Sequence, residues 1–93
     1  MIKSFADKEA EKLFDLRRSR KLTGSVQQSV RRKLEILDAA EVLGDLRIPP
    51  GNRLEKLSGN RSGQYSIRIN NQWRICFEWR GGDAFNVEII DYH

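Results

Sequence analysis

The segment QYSIRINNQWRICFEWRGGDAFNVEII, residues 64–90, decides how this chain folds. Its residues alternate between apolar and polar, and side chains on a strand point to opposite faces in turn. Tyr65, Ile67 and Ile69 point one way; Ser66, Arg68 and Asn70 point the other. Asn71-Gln72 reads as a tight turn. The alternation resumes with Trp73, Ile75, Phe77 and Trp79 against Arg74, Cys76, Glu78 and Arg80. Gly81-Gly82-Asp83 reads as a hairpin loop, after which Phe85, Val87 and Ile89 return to the apolar side. The segment predicts an antiparallel meander with one apolar face, and that face needs a second layer to cover it.

The cover lies upstream. Asp7 is placed to cap a helix with Glu9 and Glu11 in its first turn, where negative charge suits the helix dipole. Ala10, Leu13, Phe14 and Leu16 give that helix an apolar stripe, which runs into Arg17, Arg18, Arg20 and Lys21. Gly24 marks a break, and Thr23 or Ser25 can cap a second helix. There Val26, Val30, Leu34 and Leu37 recur at helical spacing, flanked by Ile36 and Ala40. Between the helices and the meander, IPPGN (48–52) reads as non-helical because of its prolines and glycine. Arg53–Leu57 reads as a short strand, SGNRSG (58–63) as a turn, and Ile2–Phe5 as a strand at the start. The expected architecture is α+β in the order β-α-α-β-β-β-β. Two N-terminal helices pack on one face of a twisted antiparallel sheet, in a single domain over residues 1–93.

Composition narrows the function. Cys76 is the sole cysteine and His93 the sole histidine, which rules out an internal disulfide and makes a zinc site a poor expectation. No segment approaches the roughly 18 apolar residues of a membrane span. No signal-peptide pattern opens the chain, so a cytoplasmic location with no membrane partner is expected. The net charge is +4 and the pI about 9.6. Residues 45–70 hold five Lys/Arg against two Asp/Glu, so the basic excess is concentrated mid-chain. Such a stretch suits a polyanion, nucleic acid above all. Arg53, Lys56 and Arg61 frame the loop beside the sheet and are candidate contacts to RNA phosphates. The RRSRK cluster reads instead as a helix end and solvated loop. Trp73 and Trp79, sharing a strand face with Ile75 and Phe77, read as core.

With the apolar face covered, Arg68, Arg74 and Arg80 lie on the other face with Glu78 and Glu88. Neighbouring strands are about 4.8 Å apart, so Arg68 and Arg74 can meet across the turn. The chain end, Asp91-Tyr92-His93, falls near the start of the strand that carries Arg74. This set suits phosphodiester cleavage in RNA: a base for the 2′-OH, an acid for the departing 5′-oxygen, and cations for the charge on phosphorus. RNA supplies its own nucleophile, so no cofactor or metal is expected. The plainer reading is a solvated sheet face with cross-strand ion pairs and a histidine in a tail.

MIKSF at the start, PPGNRLEKLSGNRSGQYSIRINNQWRICF in the middle and NVEIIDYH at the end resemble the HigB-type toxins of the RelE-like superfamily, over nearly the whole chain. The resemblance implies a RelE-like fold and an endoribonuclease that cuts messenger RNA on the ribosome. It implies a HigA-type helix-turn-helix antitoxin as partner, with operator DNA bound only through that antitoxin. It also implies catalytic roles for Arg74 (phosphate charge), Arg68 (RNA contact or catalysis) and Asp91, Tyr92 and His93 (acid–base work and substrate placement). Some members carry a histidine and a lysine where this chain has Glu55 and Ser58, with Lys56 between them, so the resemblance leaves the second proton carrier open: Glu55 or another group takes that role, or the toxin is slower than its relatives. A non-catalytic module that binds an antitoxin or RNA is the alternative.

Overall fold

The computed structural model describes residues 1–19, 21–48 and 50–91. Helix α1 spans Lys8–Phe14 and starts where expected: Asp7 is its N-cap, and its Oδ1 accepts from the Glu9 amide at 2.9 Å. The other Asp7 oxygen accepts from the Ile89 amide at 3.1 Å, so the cap also ties the helix to the sheet. Leu16 does not extend the apolar stripe. It adopts φ 63° and is 72% exposed. The amide of Leu16 reaches Leu13 O at 3.1 Å and that of Arg17 reaches Lys12 O at 2.8 Å, which closes the helix in a Schellman-type end before Leu16 can face inward.

Helix α2 spans Gly24–Ala39, with Thr23 at the N-cap, so Gly24 opens the helix rather than preceding it as a break. Val30, Leu34 and Leu37 are fully buried on one side. The α1–α2 connection is held by two side chains of α2. Buried Gln27 accepts from the Ser19 amide at 3.1 Å and donates to Ser19 O at 3.1 Å and Leu22 O at 2.7 Å. Arg31 donates to Leu13 O at 3.2 Å and Arg17 O at 2.7 Å, which ties α2 to the end of α1 and to the segment that follows it.

Four strands, β1 (Glu55–Lys56), β2 (Gln64–Arg68), β3 (Trp73–Arg80) and β4 (Asp83–Asp91), form one antiparallel sheet in the order β1-β2-β3-β4. The helices cover one face, where Leu13, Val30, Leu34 and Leu37 meet Ile67, Ile75, Phe77, Ala84 and Val87 in a single core. At about 25 cal/mol per Å², full burial of a large apolar side chain is worth about 1.5–3 kcal/mol, so this layer contact dominates stability. Tyr65 stacks on Phe77 at 6.2 Å and Trp79 meets Phe77 edge-on at 6.4 Å, which places Trp79 against the core.

Several expectations are corrected. Ile2–Phe5 is not a strand of its own but runs parallel along β4, through bridges at Ile2–Ala84 and Phe5–Val87. The first predicted mid-chain strand shrinks to Glu55–Lys56, because Arg53 turns the backbone to φ 43°. Leu43–Arg47, Pro50–Asn52 and Gly59–Arg61 form short 3-10 turns. A proline is tolerated at the first position of such a turn because its missing amide has no partner there. The β2–β3 connection is Ile69–Gln72 rather than a two-residue turn. Asn70 Oδ1 accepts from the amides of Gln72 and Trp73, both at 2.8 Å, and sets that wider loop.

The last correction concerns Phe85. A bulge at Asn86, φ 53°, shifts the register between Cys76 and Glu78. The alternation resets there, so Ala84 and Val87 face the core and Phe85 pairs with Glu78 on the other face. Arg80 then lies 4.2 Å over the Phe85 ring. Asn86 anchors the bulge by bonding away from the ladder, its amide to Ser4 Oγ at 2.8 Å and its Nδ2 to Glu78 Oε2 at 2.7 Å.

Candidate active site

The end of the sheet where β2 stops and β3 begins gathers the arginines. Arg68 and Arg74 are direct cross-strand partners in the β2–β3 register. Like charges set opposite one another destabilise a sheet, so this pairing needs an anion or local support. Arg74 has support. Its Nε donates to Ser66 Oγ at 2.8 Å, and its Nη2 to Arg53 O at 2.7 Å and Ser66 O at 3.4 Å. Its Nη1 lies 3.8 Å from Glu55 Oε1. The residue is only 7% exposed, whereas the sequence placed it on an open surface. The left-handed backbone at Arg53 brings the segment before β1 close enough for its carbonyl to take the guanidinium. Ser66, itself fully buried, completes a fixed cradle for the planar fork.

Arg68 is half-buried, and its Nη2 donates to Asn71 Oδ1 in the β2–β3 loop. Glu55 faces the same side as Ser66, its register partner, and its side chain is 54% exposed. It stands beside Arg74 and open to solvent. The carboxylate predicted as a second proton carrier is therefore within reach of the arginine.

Asp91 lies beside the start of β3. It pairs with Trp73 rather than Arg74, so strand alternation gives it to the Trp73 side. There it lines a cleft of about 220 Å³ with Asp7, Glu9, Lys21, Leu22, Trp73, Ile89 and Ile90, and its Oδ2 accepts from Gln72 Nε2 at 3.3 Å. Tyr92 and His93 lie outside the described residues, as does Arg20 of the basic cluster.

The three basic residues expected to frame an RNA loop are separated. Arg53 is exposed next to the cradle. Lys56 pairs with Tyr65 and so belongs to the opposite face from Glu55. Arg61 bonds Glu88 Oε1 at 2.7 Å and Gln64 Oε1 at 3.0 Å over the sheet face. Beneath these charges Cys76 is fully buried, and burial pushes its thiol pKa up, against the weaker pull of Arg61 and Arg74. It is a packed thiol rather than a nucleophile.

Sequence reasoning missed Lys33 and Asn52. Lys33, on α2, donates from Nζ to Asn52 Oδ1, and fully buried Asn52 donates from Nδ2 to Leu46 O at 3.2 Å. Burial first, then the charges of Arg32 and Arg68, hold the Lys33 ammonium below the usual lysine range. The partners are 19 residues apart, a separation that no local pattern encodes. The one signal in the sequence was the polar Asn52 inside an otherwise turn-forming PPGN.

Similarity to known proteins agrees with this architecture. Residues 3–93 match the HigB-like toxin family, described as the RelE-like toxin of the type II toxin–antitoxin system HigB. The chain is 49% identical over 94 residues to Toxin HigB-1 of Vibrio cholerae, spanning 100% of this chain and 98% of that one. It is 32% identical over 93 residues to Endoribonuclease HigB of Proteus vulgaris, spanning all of both. Among solved structures it resembles a chain of the heterotetrameric YoeB–YefM toxin–antitoxin complex from Staphylococcus aureus. That match has a TM-score of 0.61 at 20% identity, over 100% of this chain and 98% of that one, a likeness of fold. With its helix-covered antiparallel sheet and a family match over nearly its full length, the chain belongs to the HigB-like family of RelE-like toxins of type II toxin–antitoxin systems.

Proposed function

We propose that this toxin is a metal-independent endoribonuclease that cuts messenger RNA on the translating ribosome and so stops growth. The observation that carries the reading is the in-register pair Arg68–Arg74, with Arg74 locked in a cradle of Ser66 and the Arg53 carbonyl. A guanidinium fixed in advance costs no reorganisation when charge develops on a phosphate, which is where such groups gain most. The name of the Proteus vulgaris relative, an endoribonuclease, supports the same chemistry.

In this mechanism the RNA 2′-oxygen attacks the adjacent phosphorus and the 5′-oxygen leaves, giving a 2′,3′-cyclic phosphate and a 5′-hydroxyl. Arg74 and Arg68 stabilise the charge on the phosphorane. Glu55, beside Arg74 and open to solvent, takes the 2′-OH proton. His93 returns a proton to the leaving oxygen, and Tyr92 positions the substrate. Asp91, on the Trp73 side, acts as a positioning residue for the chain end. Arg53, exposed next to the cradle, adds favourable charge along the RNA. The partner is a HigA-type helix-turn-helix antitoxin, through which alone the toxin meets operator DNA.

The test is induced expression without a partner. Growth should stop, mapped messages should acquire new 5′ ends within coding regions, and His93→Ala should relieve both. Growth arrest with intact messages would instead favour a module that binds without cutting.

A further inference from the structure

We infer that Lys33 and Arg32 of α2, together with Arg68, form a second phosphate subsite that grips the RNA strand next to the scissile phosphate; this rests on the endoribonuclease reading above. Three observations lead there. First, Lys33 is half-buried and held, among the described residues, by an amide rather than a carboxylate: its Nζ donates to Asn52 Oδ1, and Asn52 is fixed on Leu46 O at 3.2 Å. Arg68 is likewise steadied by the neutral amide of Asn71. Second, Arg32 and Arg68 are near enough to Lys33 that, after burial, their charges are the next causes of its depressed pKa. Lys33 and Arg68, each held by a neutral amide and near Arg32, are poised for an anion supplied from outside.

Third, the cluster is continuous with the Arg74 cradle by two routes. Asn52 precedes Arg53, whose carbonyl receives Arg74 at 2.7 Å. Arg68 is the cross-strand partner of Arg74. A strand seated on Arg74 therefore has Arg68 and then Lys33 in its path. A ligand of one or two charges would not need both places, whereas an RNA backbone repeats its phosphate at every nucleotide. The competing role for Lys33 is structural, as a tie between α2 and the turn at Pro50–Asn52. Arg32 is exposed, which makes it the safer probe of binding.

The experiment measures binding of the purified full-length toxin to a 2′-O-methylated single-stranded RNA, which cannot be cut by its own 2′-oxygen, over a range of salt. Arg32→Gln and Lys33→Met are compared with wild type, and each is also melted thermally. Removing one cation from the phosphate path should reduce the slope of log affinity against log salt by about 0.7, which corresponds to about 5-fold weaker binding at 0.1 M salt. Lys33→Arg should restore most of the affinity. A melting point lowered by Lys33→Met, with both slopes unchanged, would make the lysine a structural tie and overturn the subsite.

Two further arms fix the source of the phosphate. Weaker binding of the variants to vacant ribosomes, with oligonucleotide slopes intact, would assign the cations to ribosomal RNA and contradict the strand assignment. A defect confined to antitoxin binding would assign them to an acidic protein surface and contradict it too. A wild-type toxin that cuts message on ribosomes yet does not bind the oligonucleotide also counts against the subsite. A wild type that neither binds nor cuts removes the endoribonuclease reading itself. One that does both, with variants of equal slope, removes the subsite alone.

Discussion

Replacing Arg74 tests whether its burial has been read correctly. Arg74→Ala takes the donor away from Ser66 Oγ, in a residue with no exposure, and from the Arg53 carbonyl. An orphaned buried acceptor costs about 1–3 kcal/mol. The Arg53 carbonyl is only partly buried and costs less, so the two together come to about 2–4 kcal/mol, set against relief of the opposed Arg68 charge, worth about 0.2–1 kcal/mol. A net loss of about 2–3 kcal/mol is a large part of the 5–15 kcal/mol, roughly, that keeps a domain folded. For a chain of this size the melting point should fall by about 10–20 °C. Arg74→Ala therefore confounds folding with catalysis, contrary to what an exposed arginine would allow. Arg74→Lys is the cleaner companion, since it keeps the charge and loses the fork. Its cleavage of message on translating ribosomes should fall by about 10²-fold, the scale of losing one oxyanion-type donor. Melting is read by circular dichroism and cleavage by primer extension, with antitoxin binding as the control for surface integrity. An alanine variant that melts like wild type would refute the cradle, and a lysine variant that cuts at the wild-type rate would refute the role of the fork.

Three other predictions concern the scaffold. Asp45 Oδ2 accepts from the amides of Glu41 at 2.9 Å and Val42 at 3.2 Å, and these bonds hold its pKa below the ordinary 3.8. A depressed carboxylate stabilises above its unfolded pKa and loses that contribution as pH falls through the folded value. Asp45→Ala should thus be less stable than wild type at neutral pH, and denaturant titrations should show the gap closing in acid below the ordinary value; a gap that widens there would contradict this. Gly82 has φ 83°, and an added Cβ would lie 3.1 Å from the Glu41 carbonyl, so Gly82→Ala should cost about 2 kcal/mol in a denaturant melt. Unchanged stability would mean that the hairpin and the Glu41 segment do not touch. Cys76, buried with a raised thiol pKa, should react with thiol reagents only as fast as the protein opens. Rapid labelling of the native toxin would show that the Arg61–Glu88 pair does not cover it.

The layers were legible because burial writes a period into the sequence. Strand alternation around Ile67, Ile75 and Phe77 and the helical spacing of Val30, Leu34 and Leu37 both point to the same core, and the structure puts them together. Phe85 was misplaced because a bulge costs one residue and leaves no mark except an asparagine that tolerates φ 53°. Leu16 was misplaced because the helix ends through backbone bonds, which no side-chain pattern reveals.

The candidate site was legible in its residues more than in its geometry. Arg68 and Arg74 were found as neighbours, since a strand-to-strand count through one turn is enough. The burial of Arg74 was not, because its acceptors include the main-chain carbonyl of Arg53, 21 residues away, and a carbonyl has no sequence signature. Nor was the face of Asp91, because it depends on the exact register, in which Ile90 rather than Asp91 is the partner of Arg74. The resemblance to HigB-type toxins carried the functional assignment where these local rules ran out.

At the heart of the proposed chemistry, the RNA provides its own nucleophile while the toxin supplies cations and proton carriers around it. The decisive experiment programs ribosomes with a message that carries a single 2′-deoxynucleotide on the 5′ side of a mapped cleavage point. The toxin should cut the unmodified message to a 2′,3′-cyclic phosphate and a 5′-hydroxyl and leave the modified site intact. Cleavage of the deoxy-substituted site at an undiminished rate, or a 5′-phosphate on the product, would contradict this chemistry.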